Sequence, residues 1–344
     1  TGYSALNQDA LTSSDQFITA LAWIKNRDAA DSHMWLDRVR GIKPNAYDIS
    51  CDLTTGQIGR VESVQRMLAG GVELGNFTSV NTANESYVLW DFMMEATGSG
   101  SSNTDGSINT TKTLVDTTLG LSISTYDGTG ANATAGHGLG VAPEFVIVKK
   151  ISASGSPWAV YHVGNDATAP QNKGIYLNTT GAGWDDNSYW NDTAPTSSVF
   201  SLGTTADVNG SGVTYVAYCF APSQFISIGS YTGNGNADGA FVPILNSLGV
   251  PIQPSFFMMK AFSRTSPWTI YDTSRLPYNV NTEALEANAS TAEQTHGAAI
   301  LDFDTGGMKM RGTSYYLNQN AATYIYLAIG TPMIDTDGRI IAGK

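Results

Sequence analysis

Three stretches of the chain repeat one pattern of apolar and polar positions. An apolar run of four ends in lysine, a small-residue turn follows, and a second run opens with tryptophan or histidine. The clearest copy, FVIVKKISASGSPWAVYH, runs from Phe145 to His162. FFMMKAFSRTSPWTIYD runs from Phe256 to Asp272, and the more divergent LAWIKNRDAADSHMWLD from Leu21 to Asp37. The second runs open at His33, Trp158 and Trp268, which lie eight, nine and eight positions after Lys25, Lys149 and Lys260. Short apolar runs bounded by turn residues predict strands, and so regular a spacing predicts one supersecondary unit used three times.

The copies extend downstream. Asn81 precedes Tyr87, Asn209 precedes Tyr215 and Asn318 precedes Tyr324, each by six positions. These tyrosines open terminal strands reading YVLWDF, YVAYCF and YIYLAI, rich in the aromatic and branched residues that suit a half-buried pleated surface. Repeats two and three share an entrance, ISTYDGTG at Ile123 to Gly130 and IGSYTGNG at Ile228 to Gly235. Repeat one has none within the chain, which also lacks an initiator methionine, so the sequence is expected to start partway along a longer polypeptide. The equivalent lysines lie 124 and then 111 residues apart, the size of ordinary domains.

The pattern predicts an all-β chain of three related antiparallel β-sandwich-like domains in tandem, each a bead with its own core. They span residues 1–97, 98–222 and 223–344. Residues 1–16 are polar and expected to be irregular. Ile58, Val61, Val64, Met67 and Leu68 follow helical spacing with Gly70 and Gly71 as a stop, so a helical insertion is expected in the first domain. A short helix is expected within 282–294. Ala96 to Thr113, all but free of apolar residues, reads as a flexible or extended linker. Asp37 with Arg40 and Asp272 with Arg275, both D-x-x-R, are expected to pair and fix the loop leaving the second strand, whereas repeat two has His162 at that point.

Composition changes little in this picture but narrows the chemistry. Charged residues are only 14% of the 344, and glycine, serine, threonine and asparagine take their place, as in short strands joined by tight turns. The formal charge of −12 repels phosphate backbones, so nucleic acid is not an expected partner. No run approaches the roughly 18 apolar residues of a membrane-spanning helix, so no membrane insertion is expected. Cys51 and Cys219 sit at non-equivalent places, and Cys219 lies inside an apolar strand; both read as reduced thiols.

No motif for catalysis or a cofactor stands out. The glycines of TYDGTG and SYTGNG recur between strands with no GK[ST] following, which is turn geometry. His33, His137, His162 and His296 share no metal-ligand spacing. DTDG at Asp335 to Gly338 imitates the start of a calcium loop without its later glutamate. Acidic residues are plentiful, and a glycosidase needs only two at a defined separation, yet most lie in polar loops where a solvated surface is the default. The local cluster with most chemical interest is Trp184, Asp185, Asp186, Tyr189 and Trp190, whose flat rings and neighbouring carboxylates suit a sugar. Packing beneath the loop is the competing account, above all for Trp190.

The stretch WIKNRDAADSHMWLDRVRG, Trp23 to Gly41, resembles the repeated β-domain of tail-fibre and other virion proteins of marine tailed bacteriophages. SNTDGSI at Ser102, TYDGTG with HGLGVAPEFVIVK in repeat two, WNDTAPTSSVFSLG at Trp190, and SYTGNGNADGAFV with WTIYDTSRLPYNV in repeat three match as well. The resemblance covers about nine tenths of the chain and carries no catalytic signature; the segment from Ile58 to Leu68 departs from it. It implies a virion component made in the host cytoplasm, with other virion proteins as partners, assembly as a homo-oligomer, a trimer first, and a host-surface glycan as ligand. Three roles fit: an attachment fibre, a purely structural head fibre, decoration or neck protein, and a polysaccharide-cleaving tailspike. The first is expected, with no enzymatic activity.

Overall fold

Successive residues of a strand point to opposite faces of the sheet, so an unbroken apolar run needs cover on both sides. The computed structural model, which describes residues 17–42, 46–95 and 98–333, supplies that double cover three times. Repeat one contains β1 (Ile18–Asn26), β2 (Met34–Asp37), β3 (Ala46–Ser50), β4 (Ile58–Arg60), β5 (Val64–Leu68), β6 (Gly71–Leu74), a single helical turn α1 (Thr78–Asn81) and β7 (Tyr87–Met94). Repeat two contains β8 (Lys112–Asp116), β9 (Leu121–Asp127), β10 (Ala133–Gly136), β11 (Phe145–Lys150), β12 (Trp158–His162), β13 (Lys173–Tyr176), β14 (Trp184–Asp185), the turn α2 (Asn187–Trp190), β15 (Val199–Leu202) and β16 (Thr214–Phe220). Repeat three contains β17 (Ile226–Thr232), β18 (Phe241–Pro243), β19 (Ile252–Ala261), β20 (Thr269–Asp272), β21 (Glu283–Glu286), β22 (Gln294–Thr295), β23 (Leu301–Asp304), β24 (Gly307–Met310) and β25 (Thr323–Pro332).

Each repeat has the same antiparallel order at its centre: β3-β2-β1-β7, β13-β12-β11-β16 and β21-β20-β19-β25. The registers coincide as well. Lys25 lies opposite Val88, Lys149 opposite Val216 and Lys260 opposite Ile325, one position after Tyr87, Tyr215 and Tyr324. The three units are therefore one topology, and the fold is all-β with sandwich-like units.

One face of each central sheet is covered locally, by the β5–β6 hairpin and α1, by β10–β15, and by β18-β24-β23. The opposite faces meet each other. Trp23, Ile147 and Met258, each two residues before a repeat lysine, enter one common apolar cluster, whereas Ile24, Val148 and Met259 enter the three separate outer cores. The expectation of separate beads is corrected here. Each repeat has its own core on one face only, and the second face is buried against the other two repeats.

The contacts between repeats run in a ring. Three backbone bonds close it at equivalent places: Gln57 N to Ile151 O (3.1 Å), Gly183 N to Phe262 O (2.8 Å) and Glu293 N to Arg27 O (2.8 Å). Each acceptor lies two residues after a repeat lysine. Trp158 Nε1 donates to Ser50 O at the end of β3, and Trp268 Nε1 donates to Tyr176 O at the end of β13. At the end of the second strand Asp37 accepts from Tyr218 OH (2.8 Å), Asp272 from Trp90 Nε1 (3.0 Å), and His162 Nε2 donates to Tyr326 O (3.0 Å). Repeat one thus meets repeat two, two meets three, and three meets one.

The D-x-x-R pairs form as expected. Asp37 accepts from Arg40 N and Nε, Asp272 from Arg275 N and Nε, and both guanidinium groups reach back to a carbonyl of the second strand, Trp35 O or Ile270 O. All four side chains are buried. Lys25, Lys149 and Lys260 are buried too, and their ammonium groups donate to hairpin carbonyls such as Asn26 O, Ser156 O and Ser266 O. Burial lowers their pKa to about 8, 8 and 7.

A second latch recurs around each terminal tyrosine. Thr82 N, Gly210 N and Gln319 N donate to the phenol oxygens of Tyr87, Tyr215 and Tyr324, which donate in turn to Thr78 O, Ala206 O and Tyr315 O. The amides of Asn81, Asn209 and Asn318 donate to Gly75 O, Gly203 O and Gly312 O. The six-residue spacing thus tethers the loop before each terminal strand at two points.

Three local expectations are corrected. Ile58–Leu68 is not helical but forms β4 and the first arm of a hairpin. A bulge between Val64 and Arg66 brings Val64 and Met67, three apart, to the same face, while Ile58, Val61 and Leu68 are exposed. Gly70 and Gly71, at φ +79° and +148°, make the hairpin turn. Within 282–294 there is a strand, β21, whose Ala284 and Leu285 enter different cores, a two-sided burial that imitates a helical apolar pair. In the supposed linker, Ala96 and Thr97 lie outside the described residues, and the rest is tied down. Ser101 pairs with Thr113, Ile108 N donates to Thr134 O, and buried Ile108 anchors the strap in the outer core of repeat two. Residues 1–16 and the tail with DTDG fall outside the described residues.

The entrances behave alike: β9 covers the far edge of β16 and β17 that of β25, with Tyr126 stacked on Tyr215 and Tyr231 on Tyr324. Among the described residues no strand covers the far edge of β7.

His162 sits in the ring as a neutral imidazole whose two nitrogens are both used: Nε2–H donates to Tyr326 O, and Nδ1 accepts from Gly164 N. Burial, opposed by the Tyr326 carbonyl, pushes its pKa to about 4. A folded-state pKa below the unfolded value means that stability is full above about pH 6.5 and is lost as pH falls toward 4, up to about 1.4 kcal/mol per pH unit. Urea unfolding of the wild type and His162→Asn at pH 7 and pH 4.5 should therefore show the larger acid loss in the wild type; equal losses would show that this imidazole does not titrate with unfolding.

Candidate functional site

The five residues singled out in the sequence lie on β14 and α2. Gly174 pairs with Trp184 across the β13–β14 hairpin, and the indole lies flat over the glycine: a Cβ there would come within 2.0 Å of the ring. Tyr176 and Tyr189 close the other side, with ring centroids 5.3 and 4.1 Å from Trp184. The Tyr189 hydroxyl bonds to Tyr176 OH and donates to Asp207 (2.7 Å), and burial together with these bonds raises its pKa. Trp190 is buried and meets Tyr161 edge-on.

The carboxylates point the other way. Asp185 is exposed and paired with Lys173 at 2.7 Å, and Asp186 caps α2 by accepting from Ser188 N. The structure therefore gathers Trp184, Tyr189 and Trp190, but into a closed packing cluster with Tyr176, and leaves Asp185 and Asp186 on the surface beside it. No stacking face is left on Tyr189 or Trp190, and Trp184 keeps one partly open edge.

The remaining candidates are structural. His33 accepts from Trp23 Nε1, and His137 accepts from Leu139 N and contacts Thr196 O. Among the described residues no three His, Cys, Asp or Glu side chains are grouped to hold a metal ion. Cys51 and Cys219 are free and buried.

Clefts of ligand size lie among the described residues, two of them lined in part by repeats one and three. One, about 430 Å³, runs beside the uncovered edge of β7 between Trp90, Phe92, Leu119, Phe256 and Ile329, and is largely apolar. The other, about 460 Å³, lies in repeat three between the start of β19, the loop after β20 and the β23–β24 turn, and is mostly polar. Gln253, Thr273, Tyr278, Asn279, Asp304 and Thr305 line it. The sequence reading includes Tyr278 in the stretch WTIYDTSRLPYNV but assigns it no chemistry, because LPYNV falls outside the spacings that the repeats share. The available signal is an aromatic residue between proline and asparagine, a turn that holds a ring outward.

A family model matches residues 2–331, nearly the whole chain. The chain belongs to the family described as a domain of unknown function, DUF7483. Its match spans all three repeats, so the family unit is the closed three-sheet body and not one repeat. No curated protein and no solved structure matches the chain.

Tyr189→Phe removes the hydroxyl that bridges Tyr176 and Asp207. It should lower stability by about 1–3 kcal/mol in chemical denaturation, because the Asp207 carboxylate loses a charge-assisted bond. A change below about 0.3 kcal/mol would show that the cluster is not a structural one.

Proposed function

We propose that the chain is a bacteriophage virion component that takes part in host attachment by binding a surface glycan without cleaving it. The observation that carries this reading is the fate of the motif behind the resemblance. Trp23, Lys25, Asn26, His33, Asp37 and Arg40 are buried and spent on internal hydrogen bonds, so the signature describes a scaffold. Around this scaffold run loops rich in asparagine, threonine, glycine and tyrosine. These residues provide adaptable hydrogen bonds and aromatic area at low entropic cost.

The acidic surface, at −12 overall, favours neutral ligands over anionic ones. Assembly as a homotrimer would multiply weak contacts into avidity. A purely structural place in the particle is the second reading, supported by the closed, heavily bonded core.

Mass spectrometry and antibody labelling of purified particles should find the chain in an external appendage, and excess free protein should reduce adsorption to host cells several-fold. Absence from the particle would end the virion reading; presence without competition would leave the structural role in place of attachment.

A further inference from the structure

The polar cleft of repeat three gathers half-buried and exposed polar side chains that the fold itself leaves unbonded. The side chains of Gln253, Thr273, Tyr278, Asp304 and Thr305 make no hydrogen bond with any described residue. Together they bring amide, hydroxyl, phenol and carboxylate groups to one concavity of about 460 Å³, within the range of about 300–1,000 Å³ usual for small-ligand sites. Tyr278 stands at its rim with 78% of its surface exposed, more than any other large hydrophobic residue described.

The wall that carries these groups is held rigidly. Asn279 Nδ2 donates to Phe303 O and its Oδ1 accepts from Phe303 N (2.9 Å), tying the Tyr278 loop to β23. Asn281 Nδ2 donates to Asp272 O and Leu276 O, fixing the same loop from its other end. A preordered loop loses little freedom on binding.

We propose that this cleft is the carbohydrate subsite of the chain: the Tyr278 ring stacks on the apolar face of a neutral hexopyranose while Gln253, Thr273, Asp304 and Thr305 bond its hydroxyls. The chemistry selects that class. An aromatic face suits the C–H side of a pyranose, and mixed donors and acceptors suit hydroxyl groups. Among the described residues the one charge in the lining is the Asp304 carboxylate, and the nearby Arg311 is held by Asp302 at 2.5 Å, so these residues offer an anionic sugar no free cation. This inference rests on the glycan-binding reading above but places the contact away from Trp184.

The test uses the full chain and saturation-transfer NMR with oligosaccharides of glucose, galactose, mannose and N-acetylglucosamine, and with sialyllactose as the anionic control. At least one neutral sugar should give ring-proton signals, Tyr278→Ala should weaken its binding about tenfold or more, about 1.4 kcal/mol, and Trp184→Phe should leave it unchanged. Because Tyr278 is exposed, its alanine variant should keep the wild-type melting temperature, and Asp304→Asn gives an independent second variant. No signal from any neutral sugar, equal signals in the Tyr278 and Asp304 variants, or binding of sialyllactose alone would overturn the proposal. Adsorption assays separate it from the parent reading. If wild-type protein blocks adsorption and the Tyr278 variant blocks equally, the cleft is wrong and attachment stands; if sugar binds at the cleft but adsorption is unaffected, the reverse holds.

Discussion

A strand with apolar side chains on both faces has to be covered twice, and β1, β11 and β19 are all of this kind. Each repeat provides one cover from its own sequence, a small outer sheet or hairpin. The second comes from the other two repeats, whose central sheets turn their remaining apolar faces to a common cluster of tryptophan, phenylalanine, isoleucine and methionine side chains. A repeat cut out alone would expose that whole face to water, at about 25 cal/mol for each Å² of apolar surface. The three sheets are therefore mutually dependent, and the match of the family to the whole body has the same cause.

Closing sheets around a centre leaves polar groups at the seams, and the chain treats each seam in the same way. The end of the second strand meets the next terminal strand through Asp37 with Tyr218, His162 with Tyr326 O, and Asp272 with Trp90. Two carboxylates, each held by its own arginine, and one neutral imidazole do one job. The substitution is intelligible: the third contact is to a backbone carbonyl, which requires a donor, and a carboxylate has none to offer. The buried lysines serve a related purpose, satisfying carbonyls of the hairpin turns that no strand can pair.

Much of this was legible in the residues. The lysine spacing, the asparagine-to-tyrosine spacing and D-x-x-R each correspond to a repeated bond, because each marks a polar group buried at a fixed place in a strand unit. Less visible was anything that depends on which face meets what. An apolar run buried on both sides does not say whether its second cover is local or distant, so the repeats read as beads. A bulge gave Val64 and Met67 the spacing of a helix. The Trp184 loop, polar in sequence, looked open because the glycine that receives the indole, Gly174, lies ten residues upstream on the partner strand. The Tyr278 cleft left no periodic trace, since its aromatic rim lies in LPYNV and its far wall in the β23–β24 turn, outside the shared spacings of the three repeats.

The far edge of β7 has a quieter consequence. Its counterparts on β16 and β25 are closed by β9 and β17, but among the described residues the β7 edge carries backbone N–H and C=O groups that no strand receives, with Leu89 and Met93 half exposed beside them. A body whose three sectors are nearly interchangeable inside is thus distinguishable from outside. Among the described residues the sheets end on that side in β7, β8 and β17 respectively, so strand addition there would meet a central strand in the first sector and an added entrance strand in the other two.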